Sequence, residues 1–354
     1  MRAVLVVFGL LTGAGSAIAE PAPVAVCSVT DERLSELSGL AARGDELFAV
    51  NDSDNGRLAV QVMDRNCAIT RTITTSINPF DVEDLSVAPD GTLWAADTGD
   101  NGKTRETVAL HAVSPDGTAR LYRLTYPDGK HDAEALLLDG SGIPHIITKE
   151  TIGSALVYRP VSGLIENAPS PLEQVARVSI RGTETPGGPL TNPVVTRVVT
   201  GGAMSADGRV AALRTYTDAY LFPVPDGDLA KALEGDPVQV PLPDEPQGEA
   251  IAFDGDGALL SASEFGNGGV SSQLRRVEGA VAAAVPPEPT PTAAPTSDAD
   301  PPATATPAAP EPGPVPGSPR RSPSAGSRRV RPQRRRSTAT TLPRIDASSP
   351  RIGW

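Results

Sequence analysis

Residues 83–102 read E-D-L-S-V-A-P-D-G-T-L-W-A-A-D-T-G-D-N-G, two apolar runs set around a turn. Leu85 and Val87 lead into Pro89-Asp90-Gly91, Leu93 to Ala96 return, and Asp97 to Gly102 turn again. Short alternating runs joined by a Gly-containing turn predict a β-hairpin. The module recurs at Ser38-Gly39-Leu40, Glu134-Ala135-Leu136, Gly202-Ala203-Met204 and Glu249-Ala250-Ile251. Successive copies lie 45, 51, 68 and 47 residues apart, in the range of propeller blades.

Each copy continues into a third apolar run, at Leu58 to Val62, Val108 to Ala112, Leu156 to Tyr158, Tyr220 to Phe222 and Leu274 to Arg276. Outer strands are expected at Ile69 to Ile77, Ala119 to Tyr126, Val175 to Ile180 and Val238 to Leu242. The last copy lacks one, and Val24 to Val29 near the start is spare. An open ring would expose a pairing edge, so that strand is expected to close the last blade. The expectation is an all-β, five-bladed propeller. The long 136–204 interval is read as a large loop in preference to a decayed sixth blade, and helix is not expected.

Met1-Arg2, the apolar run Ala3 to Leu11 and Ala17-Ile18-Ala19 read as a signal peptide over residues 1–19. The propeller is expected over 20–284, a Pro/Ala/Thr-rich disordered linker over 285–319 and an Arg-rich disordered tail over 320–354. No later run is apolar enough for a membrane helix, so a secreted, monomeric protein is expected. Cys27 and Cys67 suggest one disulfide, with two free thiols the alternative, and their spacing fits no zinc pattern.

Formal net charge is −12. Setting aside the ten arginines and one aspartate of residues 320–351 leaves 21 basic against 42 acidic residues. An acidic domain with a basic tail could cling to anionic cell-wall polymer through that tail, or leave the tail merely solvated. Nucleic acid is not expected, since no aromatics interleave the arginines before Trp354.

Hairpin arithmetic pairs Ser38 with Asp52, Glu83 with Asp97, Glu134 with Thr148, Gly202 with Tyr216 and Glu249 with Ser263. These ends should meet at one mouth of the channel. Ligand-binding candidates are Glu83, Asp84, Asp97, Glu134, Lys149, Arg214, Tyr216, Glu249 and Glu264; metal candidates are Asp52, Glu83, Asp97 and Asp100, with Ca²⁺ the ion. Glutamates at strand starts could instead accept hydrogen bonds from a neighbouring blade's backbone. The Asn55-Gly56, Asn101-Gly102 and Asn267-Gly268 steps are read as type I′ turns, and the EF-hand reading of 52–63 fails at Met63. No G-x-S-x-G, H-E-x-x-H or phosphate-cradling loop occurs, and His111, His131 and His145 lack metal-ligand spacing.

The order S-G-L-A, E-D-L-S-V-A-P-D-G-T-L-W-A-A-D-T-G-D-N, Y-P-D-G-K-H-D-A-E-A-L, I-T-K, A-L-R-T-Y-T and P-Q-G-E-A-I-A resembles exported actinobacterial β-propellers, loosely tied to esterase-like phytase and TolB-type groupings. The resemblance covers Cys27 to Val277 and implies fold and export. It transfers no catalytic residue: the phosphate pocket of propeller phytases is not recognisable here. The expectation is a ligand, cation or protein partner bound at the acidic mouth; a metal-dependent phosphoesterase or esterase and a wall-associated scaffold are the alternatives.

Overall fold

The computed structural model describes residues 22–52, 56–190 and 194–285. The signal peptide, linker and tail expectations, and Asn55, lie outside them. After β1 (Val24–Val29) comes the first blade, in which β2 (Leu37–Arg43), β3 (Glu46–Asn51), β4 (Ala59–Met63) and β5 (Ile69–Thr74) form one four-stranded antiparallel sheet. The second blade holds β6 (Asp84–Val87), β7 (Leu93–Asp97), β8 (Val108–Val113) and β9 (Ala119–Thr125). The third holds β10 (Ala133–Leu138), β11 (Pro144–Thr148), β12 (Ala155–Pro160) and β13 (Pro169–Val178). The fourth holds β14 (Val199–Met204), β15 (Val210–Thr215), β16 (Asp218–Pro223) and β17 (Val238–Pro241). The fifth joins β18 (Gly248–Phe253), β19 (Leu259–Ser263) and β20 (Ser272–Val277) to β1, which pairs antiparallel with β20.

The described strands group into four-stranded units, two of them joined in one eight-stranded sheet, and 181–198 forms no strand among its described residues. The second and third units share one continuous sheet because the start of β13 pairs parallel with β9, Pro169 opposite Arg123. Five apolar clusters fill the spaces between successive blades. One sets Phe48, Val60 and Ile73 of the first against Leu85 and Leu93 of the second. Another sets Leu40 and Leu47 of the first against Ala252 and Leu260 of the fifth, closing the circle. Burial on two faces explains both: each inner strand lies between its neighbours, so successive positions are buried and the runs are nearly continuous in apolar residues.

Helix does occur, against expectation, in three short pieces among the described residues, a 3-10 turn at Glu32–Leu34 and two α-helical turns. At α1 (Leu229–Leu233) the Asp228 side chain accepts the Lys231 amide, a cap that local sequence supplies. At α2 (Ala280–Ala284) Ala280 and Val281 are buried beside Val277. Neither is long and apolar enough to cross a membrane, nor is any helix among the described residues. The type I′ reading also fails at two sites. The 98–107 connection is too long for a two-residue turn, and its positive φ falls on Lys103; at 266–268 it falls on Gly266 and Gly268 and not on Asn267.

Cys27 and Cys67 form a disulfide, with Cα atoms 5.9 Å apart. It ties β1, the outer strand of the fifth blade, to the β4–β5 turn of the first. Closing a loop of sequence separation 40 stabilises by about 4 kcal/mol on the loop-entropy account. The Cys27→Ser, Cys67→Ser double variant should lose stability on that scale in urea titrations; a shift under about 1 kcal/mol would show that strand pairing alone holds the seam.

Candidate functional site

The inner strands begin at one end of the channel, and four of the five carry a bulge there. Register shifts lie between Leu37 and Gly39, Ala133 and Ala135, Val199 and Gly201, and Gly248 and Ala250. The extra residues are Ser38, Glu134, Thr200 and Glu249; a bulge breaks the pairing and re-aims its side chain. Ser38 Oγ donates to Val82 O at 2.8 Å and Thr200 Oγ1 to Gly248 O at 2.8 Å, each stitching one blade to the next. Glu134 and Glu249 instead hold carboxyls at the mouth. Only the Glu83–Asp97 pairing follows the expected arithmetic, since β6 and β7 have no bulge. In the fourth blade the equivalent residue is Thr200, two places before Gly202, so no acid stands there.

Glu83, Asp132 and Glu134 are all buried, and each offers an oxygen within 4.8 Å of the others. Asp52, Asp81 and Glu83 form a second such group. Lys149 Nζ pairs with Glu134 Oε1 and lies 5.6 Å from the Tyr216 ring centre. Glu134 Oε2 is buried with no hydrogen-bond partner among the described residues. Gln247 Nε2 donates to Glu249 Oε1 at 3.2 Å.

Crowded carboxyls in a dry site resist ionisation. Burial, then the neighbouring Asp52, pushes Asp81 up to about 7. Burial and Glu264 push Glu249 up to about 8, and burial carries Glu134 to about 8 despite Lys149. Burial opposes the charge on Lys149, but Glu134, Tyr216 and Glu249 together outweigh it and raise its pKa.

Four expected ligands serve the fold instead. Asp97 is buried and accepts from the amides of Phe80 (3.2 Å) and Asp81 (3.1 Å) and from Arg105 Nη2 (2.8 Å), with His111 Nε2 3.0 Å away. Burial works against its charge, but His111 and Arg105 hold its pKa below the usual value. The carboxylate of Asp100 caps its own loop, accepting from Thr104 N at 2.8 Å and Arg105 N at 2.9 Å. Its amide donates to Asp132 Oδ1 at 2.7 Å and so orients a mouth carboxylate. Asp84 is fully buried, its oxygens taken by three amides. Arg214, likewise inaccessible, pairs with Glu245 at 2.6 Å and donates to the carbonyls of Ala250 (2.9 Å) and Ala262 (3.1 Å). Gly248 leaves room for that pair, since a Cβ there would overlap Arg214 and Glu245.

Asp81, Asp132, Arg105 and Glu245 were not singled out from sequence. The first two were findable: D-V-E at 81–83 and D-A-E at 132–134 place two acids on one side of an extended chain.

The fold and the site together define a β-propeller with an acidic channel mouth. No protein-family model matches the chain, and no curated protein matches its sequence. Among solved structures it is similar to a gluconolactonase from Xanthomonas campestris (12% identity, TM-score 0.39, 68% of this chain and 72% of that one). It is also similar to the PQQ-bound aldose sugar dehydrogenase from Streptomyces coelicolor (12%, 0.38, 73% and 98%) and to a luciferin-regenerating enzyme (15%, 0.38, 68% and 76%). Likeness at this level carries no argument about chemistry, which rests on the residues above.

The raised carboxyls set a pH dependence. The folded state keeps protons that the unfolded chain releases near pH 4, so their stabilisation is complete below that pH and is lost as pH rises through about 7 to 8. In chelator-treated buffer Tm should fall from pH 5 to pH 8; a rising Tm across that window would contradict the proton-sharing account.

Proposed function

We propose that the mouth binds a divalent cation through Glu83, Asp132 and Glu134, and that the cation and Lys149 together receive an oxygen-bearing ligand. The observation that carries this reading is the divided use of Glu134: one oxygen on Lys149, the other buried and unpaired. An unpaired buried carboxylate oxygen is costly unless something meets it. The donors are all carboxylate oxygens, which suits a hard cation. Their donor oxygens lie within 4.8 Å of one another, a separation that one Ca²⁺ with Ca–O distances of about 2.4 Å can bridge. Calcium titration by calorimetry should show saturable binding, weakened at least tenfold in Glu134→Gln with the far-ultraviolet dichroism unchanged. Absence of heat, together with no Ca²⁺-dependent rise in Tm, would remove the reading.

Hydrolysis of phosphoesters or carboxylic esters is the second reading, favoured by the ammonium of Lys149 beside the cation ligands. It is the phytase-like sense of the sequence resemblance, with the Lys149 ammonium as the cation that would meet an ester oxygen. Chromogenic phosphate and carboxylate esters should be turned over only with Ca²⁺ present, and activity should vanish in Glu83→Gln. Equal rates with chelator would assign the mouth to binding alone.

Export is proposed with it, residues 1–19 acting as the signal and the Arg-rich tail meeting anionic wall polymer. The Cys27–Cys67 disulfide supports an oxidising destination.

A further inference from the structure

The channel has a second opening. Inner strands start at the mouth and run away from it, so the turns joining β2 to β3, β6 to β7, β10 to β11, β14 to β15 and β18 to β19 ring its opposite end. A cavity of about 450 Å³ lies inside that ring. Its lining reaches inward only to Leu40, Leu85, Ala203 and Ala252. Asp84, fully buried and bonded to the amides of Leu85, Leu136 and Gly202, stands between it and the acidic mouth. Val87, Leu138, Met204 and Phe253 give the cavity apolar walls. A concave apolar basin of this size with few polar groups is the form that small-molecule sites take.

One charge is left over at its rim. Arg43 reaches from the β2–β3 turn to the β6–β7 turn, where Nη2 donates to Pro89 O at 3.2 Å. A Cβ at Gly91 would come within 2.7 Å of Nη1, so that glycine is what lets the guanidinium lie there. A guanidinium has five N–H donors, and this one makes no ion pair among the described residues. The acids of the rim turns are engaged locally. Asp90, whose charge Arg43 favours, accepts from Thr92 N at 2.9 Å. Asp139 accepts from the amides of Ser141 (2.8 Å) and Ile143 (3.0 Å), and Asp207 from Arg209 N (3.1 Å) and Nε (2.7 Å).

We propose that this basin is a second ligand site, separate from the mouth, for an apolar monocarboxylate whose hydrocarbon part lies among Val87, Leu138, Met204 and Phe253 and whose carboxylate meets Arg43. Burial of the chain supplies the affinity, and the guanidinium selects the head group. Binding there needs no cation at the mouth.

The test compares octanoate with 1-octanol, equal in chain and different in charge, by equilibrium dialysis against the full chain in chelator-treated buffer. Octanoate should bind saturably and about fivefold more tightly than octanol, the worth of one rim ion pair. Arg43→Gln should lower octanoate to the level of octanol and leave octanol unchanged. Gly140 lines the rim without a positive φ, and a Cβ there meets nothing within 4 Å, so Gly140→Trp narrows the opening without backbone strain. It should weaken both ligands about tenfold or more, with the thermal transition unchanged. Ala206→Trp, at an exposed rim position on the next blade, is the second narrowing variant should the first not fold. No saturable octanoate binding to folded wild type overturns the site. Equal affinity for the two ligands overturns the carboxylate assignment. Undiminished binding in a folded, narrowed variant overturns the location.

Discussion

One carboxylate holds the middle of the molecule. Asp84 Oδ1 accepts from Leu85 N at 2.8 Å, and Oδ2 accepts from Leu136 N at 2.7 Å and Gly202 N at 3.1 Å. These amides belong to the inner strands of three different blades. Burial pushes the Asp84 pKa well up, against the pull of the three amides. A charge-assisted acceptor in a dry site is worth more than a neutral one, and its partners have nowhere else to go. The inner strands of β6, β10 and β14 are thus drawn to one point, and the acids one step towards the mouth are brought together as a consequence.

Away from that centre the same device recurs with the sign reversed. Arg214 spends its guanidinium on Glu245 and on carbonyls from β18 and β19, locking the fourth blade to the fifth. Buried ions are expensive to desolvate, and one that loses its partner is worse. Both groups therefore act as keys: the blades can approach only in the one arrangement that satisfies them. Asp97 plays a local version, fixing the Phe80–Asp81 backbone so that Asp81 faces Asp52.

Much of this architecture is legible in the residues. Strand order, the outer strands and the closing role of Val24–Val29 follow from alternation, from turns such as Pro89-Asp90-Gly91 and from the cost of an open edge. The site was legible only by half. A bulge adds one residue with no mark in the local pattern, so the arithmetic that works for Glu83 and Asp97 misplaces Ser38, Glu134 and Glu249. Nor does an acid's position tell whether its oxygens are already taken. Asp84, Asp97 and Arg214 carry chemistry-bearing side chains at mouth-like positions, yet each is consumed by amides, carbonyls or an opposite charge from distant blades. That is decided by packing between blades, which periodicity does not encode. Asp132 and Asp81 escaped for a simpler reason, standing two places ahead of the repeat's glutamate and outside its aligned column.

The seam between β1 and β20 has a consequence for how the chain reaches its native state. Ser28 and Gln273, hydrogen-bonded across it, are 245 residues apart in sequence. Contacts of such separation form slowly, because loop-closure entropy must be met before they give any return. Four sheets can assemble from local hairpins while β1 waits with an unsatisfied ladder, a period in which it is the part of the molecule most prone to pair with a stranger. Acquisition of the final blade is therefore the slow, aggregation-exposed event, and the covalent link to Cys67 is what keeps the waiting strand beside the place it must fill.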